Sequence, residues 1–312
     1  MVNNNRQREH AHPDWIAARE RGTAGMLRIM TFISLHLGRQ VSRVVLYGIA
    51  GYFFLFAPSP RRHMRDYLQR VLGRPPSPGD RFRLLLSFAT TIHDRVYLLN
   101  QRLDLFDISI DGHELADARI NSRQGVLLMG AHMGSFEVIR AVGLQRPDLK
   151  LALTMYEENA RKISSMLSAI NPSLVPDIIP LGRIDSMLKV QSRLAAGAFV
   201  GVLGDRTLGE DATQRITFLG APAWFPTGAM RAAAMLRCPV IFMVGLYHGA
   251  NRYRVVFEKL ADFSHTPRER RAAEVRIAVE RYAALLEQYC RSDPYNWFNF
   301  FNFWQERPCA PP

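Results

Sequence analysis

The chain has 312 residues, of which 48% are hydrophobic, so it can bury a sizeable core and is not globally disordered. It carries 40 Lys and Arg against 28 Asp and Glu, a formal net charge of +12, and its first 100 residues hold 15 Arg, no Lys and six acidic residues. This basic N-terminal third predicts an anionic partner, and three classes fit: nucleic acid, an anionic bilayer and an acidic protein. The cysteines (Cys238, Cys290, Cys309) are scattered without a CxxC pair, which argues against a disulfide framework and a structural zinc site and is typical of a reducing compartment.

The N-terminal part divides into a polar tail, residues 1–25, and a basic and apolar region, residues 26–78. The tail lacks the pattern of a cleavable signal peptide. In the second region, the run 44–58 has about 15 apolar residues between Arg43 and Arg61, fewer than the roughly 20 that a membrane-spanning helix needs. Its aromatic side chains and cationic ends suit the headgroup zone of a membrane.

Residues 26–37 are also apolar, and Gly38 separates them from the aromatic run. Two consecutive apolar helices joined at this point predict a hairpin that dips into a membrane. We therefore expect residues 26–78 to form a helical membrane-associating region, and two ordinary core helices are the alternative.

A Pro-rich turn at residues 73–78 separates this region from the rest of the chain, residues 79–312. Helical spacing of apolar residues begins at Asp80. Further along, short apolar runs predict strands at 106–110, 125–130, 149–155, 178–181, 198–203, 240–246 and 253–257. The segments between them predict helices at 135–144, 159–170, 185–196, 227–236 and 268–290. This alternation predicts an α/β domain with a mixed, largely parallel sheet flanked by helices.

In such sheets, functional sites lie at the carboxyl ends of the strands, and one segment has this position. His132 follows the strand 125–130, and Glu137 comes five residues later in the first turns of the next helix. Gly134 permits a tight turn, and Ser135 is suited to cap the helix. A carboxylate that holds one imidazole nitrogen leaves the other free to act as a general base toward a hydroxyl or an amine. The alternative is a histidine that caps or packs at a helix start.

Two further loops lie beside predicted elements. Asp205 and Arg206 come just after a strand, and the arginine is suited to a phosphate, a pyrophosphate or an acidic protein. A local ion pair between the two is the alternative. The second loop, residues 220–228, leads into a helix through Pro226, Thr227 and Gly228, and the amides near Gly228 are suited to hold an anion. We expect these five residues to contact substrate.

The stretch 296–304 reads NWFNFFNFW, in which asparagines interrupt six aromatic residues. Two interpretations stay open. The rings line an acyl-chain site or touch lipid, or they lock the C-terminal end of the chain onto the core.

The segments 130–137, 204–206 and 218–228, in this order, resemble the lysophospholipid acyltransferase superfamily. The nearest branch is that of the lipid A late acyltransferases, which are bacterial inner-membrane enzymes. The hallmark of the superfamily is a histidine followed after four residues by Asp or Glu, and His132 and Glu137 match it. The resemblance covers roughly residues 40–305.

This resemblance implies a membrane-associated acyltransferase at the cytoplasmic face of the bacterial inner membrane. The donor is expected to be an acyl thioester on acyl carrier protein, whose acidity suits the positive chain, and the acceptor a hydroxyl or amine of a lipid. His132 would be the general base oriented by Glu137, with Arg206 or the amides near Gly228 stabilising the oxyanion. No metal or redox cofactor is expected. Departures from the branch are Arg206, where Gln is frequent, and the ending 296–304.

Two other functions stay open. A thioesterase or lipid hydrolase would use the same base with water as the acceptor, although the chain contains no GxSxG nucleophile elbow. A non-catalytic protein that binds membranes or nucleic acid would depend on the Arg-rich third alone. Nucleic acid is not expected as a partner, because no recognisable binding motif accompanies the arginines.

Overall fold

The computed structural model describes residues 24–56, 58–156, 160, 161, 164, 167, 170, 171, 177–183, 185–206 and 212–304. The strands are β1 (Asp107–Asp111), β2 (Val126–Gly130), β3 (Leu151–Tyr156), β4 (Ile178–Leu181), β5 (Phe199–Leu203), β6 (Thr213–Phe218), β7 (Ala221–Pro226), β8 (Pro239–Tyr247) and β9 (Arg252–Asp262). The helices are α1 (Ala24–Phe56), α2 (Pro58–Leu72), α3 (Pro78–Leu99), α4 (His113–Asn121), α5 (Phe136–Gly143), α6 (Ser186–Ala195), α7 (Gly228–Leu236) and α8 (Arg271–Ser292). Between β3 and β4, the described residues 160, 161, 164, 167 and 170 are helical, and the rest of the predicted helix 159–170 lies outside the described residues.

In this part of the chain, seven strands form one sheet in the order β1-β9-β8-β2-β5-β3-β4. Strands β8 and β9 are antiparallel, and the other neighbouring pairs are parallel. The predicted α/β fold with a mixed, largely parallel sheet flanked by helices is therefore confirmed.

Helices cover the sheet on both faces, which explains why its central strands are uninterrupted apolar runs. Along β2, Val126 and Leu128 belong to one apolar cluster, whereas Leu127 and Met129 belong to the other. The first cluster includes side chains of α5, and the second includes side chains of α2, α7 and α8. Cys238 lies in the second cluster.

Helix α1 lies against α3, and their contacts run antiparallel. Near the C-terminal end of α3, Ser34 Oγ lies 3.0 Å from His93 Nε2, and near its start the Phe54 and Phe82 rings are 6.1 Å apart. Gly38 has a φ of 79°, a conformation that favours glycine, and it kinks α1 between these contacts. The expected hairpin is therefore wrong, because both parts of α1 contact successive turns of one neighbouring helix instead of folding back on each other.

A buried ion pair fixes the inner side of α1. Arg39 donates two hydrogen bonds to Asp94, of 2.7 and 2.8 Å, and the Tyr253 hydroxyl donates a third of 2.8 Å. Burial raises the pKa of Asp94, but the hydrogen bonds from His93 and Arg39 outweigh it and hold that pKa below its ordinary value. The carboxylate is charged at neutral pH and anchors α1 to the layers around the sheet.

The outer side of α1 is apolar and exposed. The large apolar side chains that face solvent there are Phe32, Val41, Val44, Val45, Tyr47, Tyr52, Phe53, Leu55 and Phe56. Among the helices that the structure describes, none is both long and apolar enough to cross a membrane. Helix α1 thus has one face packed into the protein and one apolar face that no other described part of the chain covers.

The loop predicted over residues 220–228 is largely a strand. Strand β7 pairs with β6 in an antiparallel hairpin, and the two turn residues, Leu219 and Gly220, have φ values of 48° and 79°. Positive φ at both turn positions is typical of tight hairpins. The prolines of β7 make the sequence look like a loop, but proline is tolerated in a two-stranded ribbon because one edge forms no ladder hydrogen bonds.

Candidate active site

Two side chains from the ends of neighbouring strands meet at the carboxyl edge of the sheet. His132 Nδ1 lies 2.8 Å from Asp205 Oδ1, and the His132 backbone N–H donates to Asp205 Oδ2 at 3.0 Å. The Trp297 indole N–H donates to the same oxygen at 3.1 Å. The Asp205 side chain is 2% exposed and that of His132 is 32% exposed. The histidine is therefore the member of this His132–Asp205 dyad that a substrate can reach.

The dyad results from the parallel pairing of β2 with β5. Gly130 pairs with Leu203, and His132 and Asp205 each stand two residues beyond that pair. The Gly204 N–H donates to the Gly130 carbonyl at 3.0 Å, so the pairing continues past the last strand residue. Both side chains consequently leave the sheet at the same height, although 73 residues separate them in the chain.

The turn that carries His132 is held tightly. Gly134 has a φ of 63°, and a Cβ at this position would lie 2.0 Å from the Gly245 carbonyl oxygen. The Ser135 N–H donates to the same carbonyl at 2.7 Å, and the Ser135 hydroxyl accepts from the Val138 N–H at 3.3 Å. The glycine turn and the serine cap that the sequence predicts are thus confirmed, and together they fix where α5 begins.

The C-terminal segment, residues 296–304, lies along the other side of the turn. The Phe298 N–H donates to the His132 carbonyl at 2.9 Å, and the Gly134 N–H donates to the Asn296 carbonyl at 2.8 Å. With the indole contact to the dyad, these bonds make the segment a wall of the site. No feature of the sequence places it there.

Aromatic side chains fix the C-terminal segment to the core. Trp297 is 1% exposed and packs edge-on against Phe303 and Tyr67, with ring centroids 4.9 and 5.0 Å away. Phe300 packs against Phe88 of α3 at 5.0 Å. These contacts favour the interpretation in which the rings lock the segment in place.

The electrostatics of the dyad favour a neutral imidazole with one free nitrogen. Burial raises the pKa of Asp205, but His132, Arg206 and Trp297 outweigh it and hold that pKa well below its usual range. An ionised carboxylate only accepts, so Nδ1 of His132 carries the hydrogen. Burial and the Arg206 charge lower the pKa of His132, and Asp205 opposes them. Near neutral pH, Nε2 can therefore accept a proton.

Glu137 does not hold the histidine. Its Oε1 lies 2.9 Å from Nε of Arg95 on α3, and it is the charge partner of Arg140, a buried residue one turn further along α5. The predicted contact between Glu137 and His132 is therefore wrong. The ring nitrogen is already bonded to Asp205, and the arginines hold the Glu137 carboxylate. Its position in the first turn of α5 makes it a balancing charge for two cations beside the site.

Arg206 lies next to the dyad. Its Nη2 donates to the Phe298 carbonyl at a long 3.4 Å, and its guanidinium lies 5.2 Å from the centre of the Phe301 ring. Its positive charge lowers the pKa of both His132 and Asp205. The arginine is thus placed to interact with negative charge that develops near the histidine.

The structure does not bring the other predicted substrate residues to the dyad. The Thr227 N–H and hydroxyl both donate to the Ala212 carbonyl, at 2.9 and 3.1 Å. Pro226 ends β7 and Gly228 begins α7. Within the described residues, no hydrogen bond joins these three to His132 or Asp205, so their role in substrate binding stays a prediction.

Sequence reasoning assigned Asp205 to substrate binding and missed its contact with the histidine. The sequence does contain a pattern that predicts this contact. Both residues follow buried strands, and the carboxyl ends of parallel strands lie at one edge of the sheet. Sequence reasoning included Trp297 in the aromatic stretch 296–304 without predicting its contact with Asp205, and no local pattern marks Arg95. Among the described side chains, no group of three or more His, Cys, Asp or Glu residues is placed to hold a metal ion.

The fold and the dyad define an α/β protein that carries a histidine held by a buried carboxylate at the carboxyl edge of its sheet. A family model described as bacterial lipid A biosynthesis acyltransferase matches residues 22–306. The chain belongs to this family, and its class of activity is acyl transfer. No curated protein sequence matches the chain.

Proposed function

We propose that this protein moves a fatty acyl chain from a thioester donor to a hydroxyl or amine of a lipid acceptor, with His132 as the general base. The observation that carries the proposal is the dyad. A half-buried imidazole has Nδ1 bonded to a buried carboxylate, and its Nε2 has no hydrogen-bond partner among the described residues, which is the arrangement of a base that must take up and return a proton. The family membership supports acyl transfer as the reaction.

The reaction uses no acyl-enzyme. Nε2 of His132 takes the proton of the acceptor as the acceptor oxygen or nitrogen attacks the thioester carbonyl carbon. Asp205 stabilises the imidazolium. The carbonyl carbon becomes tetrahedral, and its oxygen becomes an oxyanion near Arg206. The C–S bond then breaks, and His132 returns the proton to the leaving thiolate. The products are the acylated acceptor and a free thiol. Glu137 acts indirectly, by balancing Arg95 and Arg140 beside the site.

The outer face of α1 supports a membrane surface as the place of this reaction. Val44, Leu55 and Phe56 are 71%, 61% and 63% exposed, and the exposed Arg62 and Arg65 follow on α2. Apolar groups with nearby cations suit an anionic bilayer interface. We infer that the protein lies on the cytoplasmic face of the bacterial inner membrane through this face.

The donor in this proposal is acyl carrier protein. A carrier that is strongly acidic complements a chain with a net charge of +12. The lipid acceptor would reach His132 from the membrane, and the carrier from the aqueous side. The long acyl chain would then pass from the carrier to the lipid acceptor within the site, without entering water.

A transfer assay tests the proposal. Purified protein in mild detergent receives acyl carrier protein with a radiolabelled acyl chain and a total bacterial lipid extract, with the His132→Ala variant beside it. We expect a labelled lipid from the wild type alone, and its mass identifies the acceptor. Label that appears only as free fatty acid would indicate a thioesterase. Intact donor with both proteins would contradict the proposed function.

A further inference from the structure

Two asparagines of the C-terminal segment are buried three residues apart in very different surroundings. Asn296 is 4% exposed, its Oδ1 accepts from the Tyr247 N–H at 2.7 Å, and its Nδ2 donates to the Tyr247 carbonyl at 3.1 Å. Asn299 is 1% exposed, and neither Nδ2 nor Oδ1 has a hydrogen-bond partner among the described residues. Burying an amide without partners is unfavourable, so Asn299 calls for an explanation.

The position of Asn299 connects it to the dyad. The preceding residue, Phe298, gives its N–H to the His132 carbonyl and receives a hydrogen bond from Arg206 on its own carbonyl. That carbonyl is part of the peptide group that joins Phe298 to Asn299. Asn299 therefore directly follows the residue whose backbone contacts both the His132 carbonyl and Arg206.

We propose that Asn299 is a substrate-contacting residue whose Nδ2 donates a hydrogen bond to the carbonyl oxygen of the bound acyl thioester. The inference rests on the proposed function. A neutral amide donor strengthens its interaction as the carbonyl becomes an oxyanion, and it adds no charge that would disturb the base. Asn299 would share this oxygen with Arg206.

Binding requires a small rearrangement, because the amide is sealed from solvent in the free protein. Arg206, which bonds to the peptide group before Asn299, is the side chain that would move. It has a long side chain, and its hydrogen bond to the Phe298 carbonyl is 3.4 Å long. The acyl carbonyl would replace the Phe298 carbonyl as the partner of Arg206 and give Asn299 a partner at the same time. In the free protein the Asn299 amide is thus buried without a hydrogen-bond partner, which is unfavourable, and the bound substrate supplies that partner.

The test compares Asn299→Leu with Asn296→Leu, since leucine keeps the branched shape of asparagine without its polar atoms. Each variant is measured for thermal unfolding without ligand and for kcat/KM with radiolabelled acyl carrier protein. For Asn299→Leu we expect a melting temperature at least as high as that of the wild type and a kcat/KM about 100-fold lower. For Asn296→Leu we expect a lower melting temperature, because two hydrogen bonds to Tyr247 are lost.

An unchanged kcat/KM of a folded Asn299→Leu variant would overturn the proposal, since the amide would then play no part in binding the thioester. Should leucine not be accommodated, Asn299→Ala assayed well below its melting temperature keeps the kcat/KM criterion. If the wild type transfers acyl chains and the Asn299 variant is equally active, this inference is contradicted and the proposed function is not. A wild type that leaves the donor intact contradicts the proposed function, and this inference with it.

Discussion

Two regions of the molecule reverse the usual distribution of polar and apolar groups. At the carboxyl edge of the sheet, Asp205, Asn296 and Asn299 are polar and almost fully buried. On the outer face of α1, Val44 and Leu55 are apolar and more than half exposed. Isolated exceptions are common on any protein, but a cluster of either kind is unfavourable and indicates a function.

The two reversals are compensated differently. Hydrogen bonds from His132 and Trp297 satisfy Asp205, and hydrogen bonds with Tyr247 satisfy Asn296, so these two buried groups fix a geometry within the chain. The Asn299 amide is the member of the cluster that has no partner among the described residues. Nothing in the described part of the chain covers the outer face of α1, whereas its inner face is tied down by Arg39 and Asp94. The first region therefore supports chemistry, and the second supports docking to something outside the chain.

The largest expected effect comes from removing the base. His132→Ala should lower kcat for acyl transfer by about 10²- to 10⁴-fold, the usual contribution of a positioned general base. The fold should remain, because the side chain is partly exposed and packs little. Steady-state kinetics and circular dichroism measure the two effects. His113→Ala is the matched control, since His113 forms a surface pair with Asp117 at 3.1 Å. This variant should keep full activity.

Glu137→Gln should affect stability more than the chemistry. The substitution leaves Arg95 and Arg140 without their shared carboxylate, which should lower the free energy of unfolding by about 1–3 kcal/mol in urea denaturation. Activity per folded molecule should fall much less than in Asp205→Asn. A Glu137→Gln protein as stable as the wild type but inactive would mean that Glu137 works in the reaction itself.

Changes on the outer face of α1 should weaken membrane binding and leave the chemistry alone. The triple variant Val44→Ser, Leu55→Ser, Phe56→Ser should bind vesicles containing anionic phospholipid about 10-fold more weakly in sedimentation, since three exposed apolar groups are lost. Its activity on detergent-solubilised acceptor should stay near that of the wild type.

The control for this docking surface carries serine at three exposed apolar residues elsewhere, Leu188, Met235 and Ile277. It should bind vesicles as the wild type does. Equal vesicle binding by the two triple variants would remove α1 as the docking surface.

The smallest expected effect is a shift in pH dependence. Because burial and Arg206 lower the pKa of His132, the acidic limb of kcat/KM should lie below about pH 6.5, the ordinary histidine value. Arg206→Gln removes a lowering influence, so the limb should move to higher pH. Folding favours the neutral ring, so the free energy of unfolding should decrease as the pH falls from about 6.5, the ordinary histidine value, to the lowered pKa of His132 in the folded protein. A limb that stays in place in Arg206→Gln would exclude this electrostatic coupling.

Much of the fold could be predicted from the sequence, because buried strands such as β2 and amphipathic helices such as α5 have distinct local patterns. The identity of the carboxylate could not. Glu137 is close to His132 in the chain, but Asp205 reaches it because β2 and β5 are neighbours in the sheet, a long-range pairing that the sequence does not display. The C-terminal segment shows the same limit, since Trp297 reaches the dyad only through the packing of distant elements.

The most direct test of the dyad is a double-mutant cycle of kcat for acyl transfer with His132→Ala, Asp205→Asn and the combined variant. If Asp205 acts through His132, Asp205→Asn alone should lower kcat by about 10²-fold or more, and adding it to His132→Ala should lower kcat no further. Losses that multiply in the combined variant, or a fully active Asp205→Asn protein, would contradict the assignment of the His132–Asp205 dyad as the catalytic base.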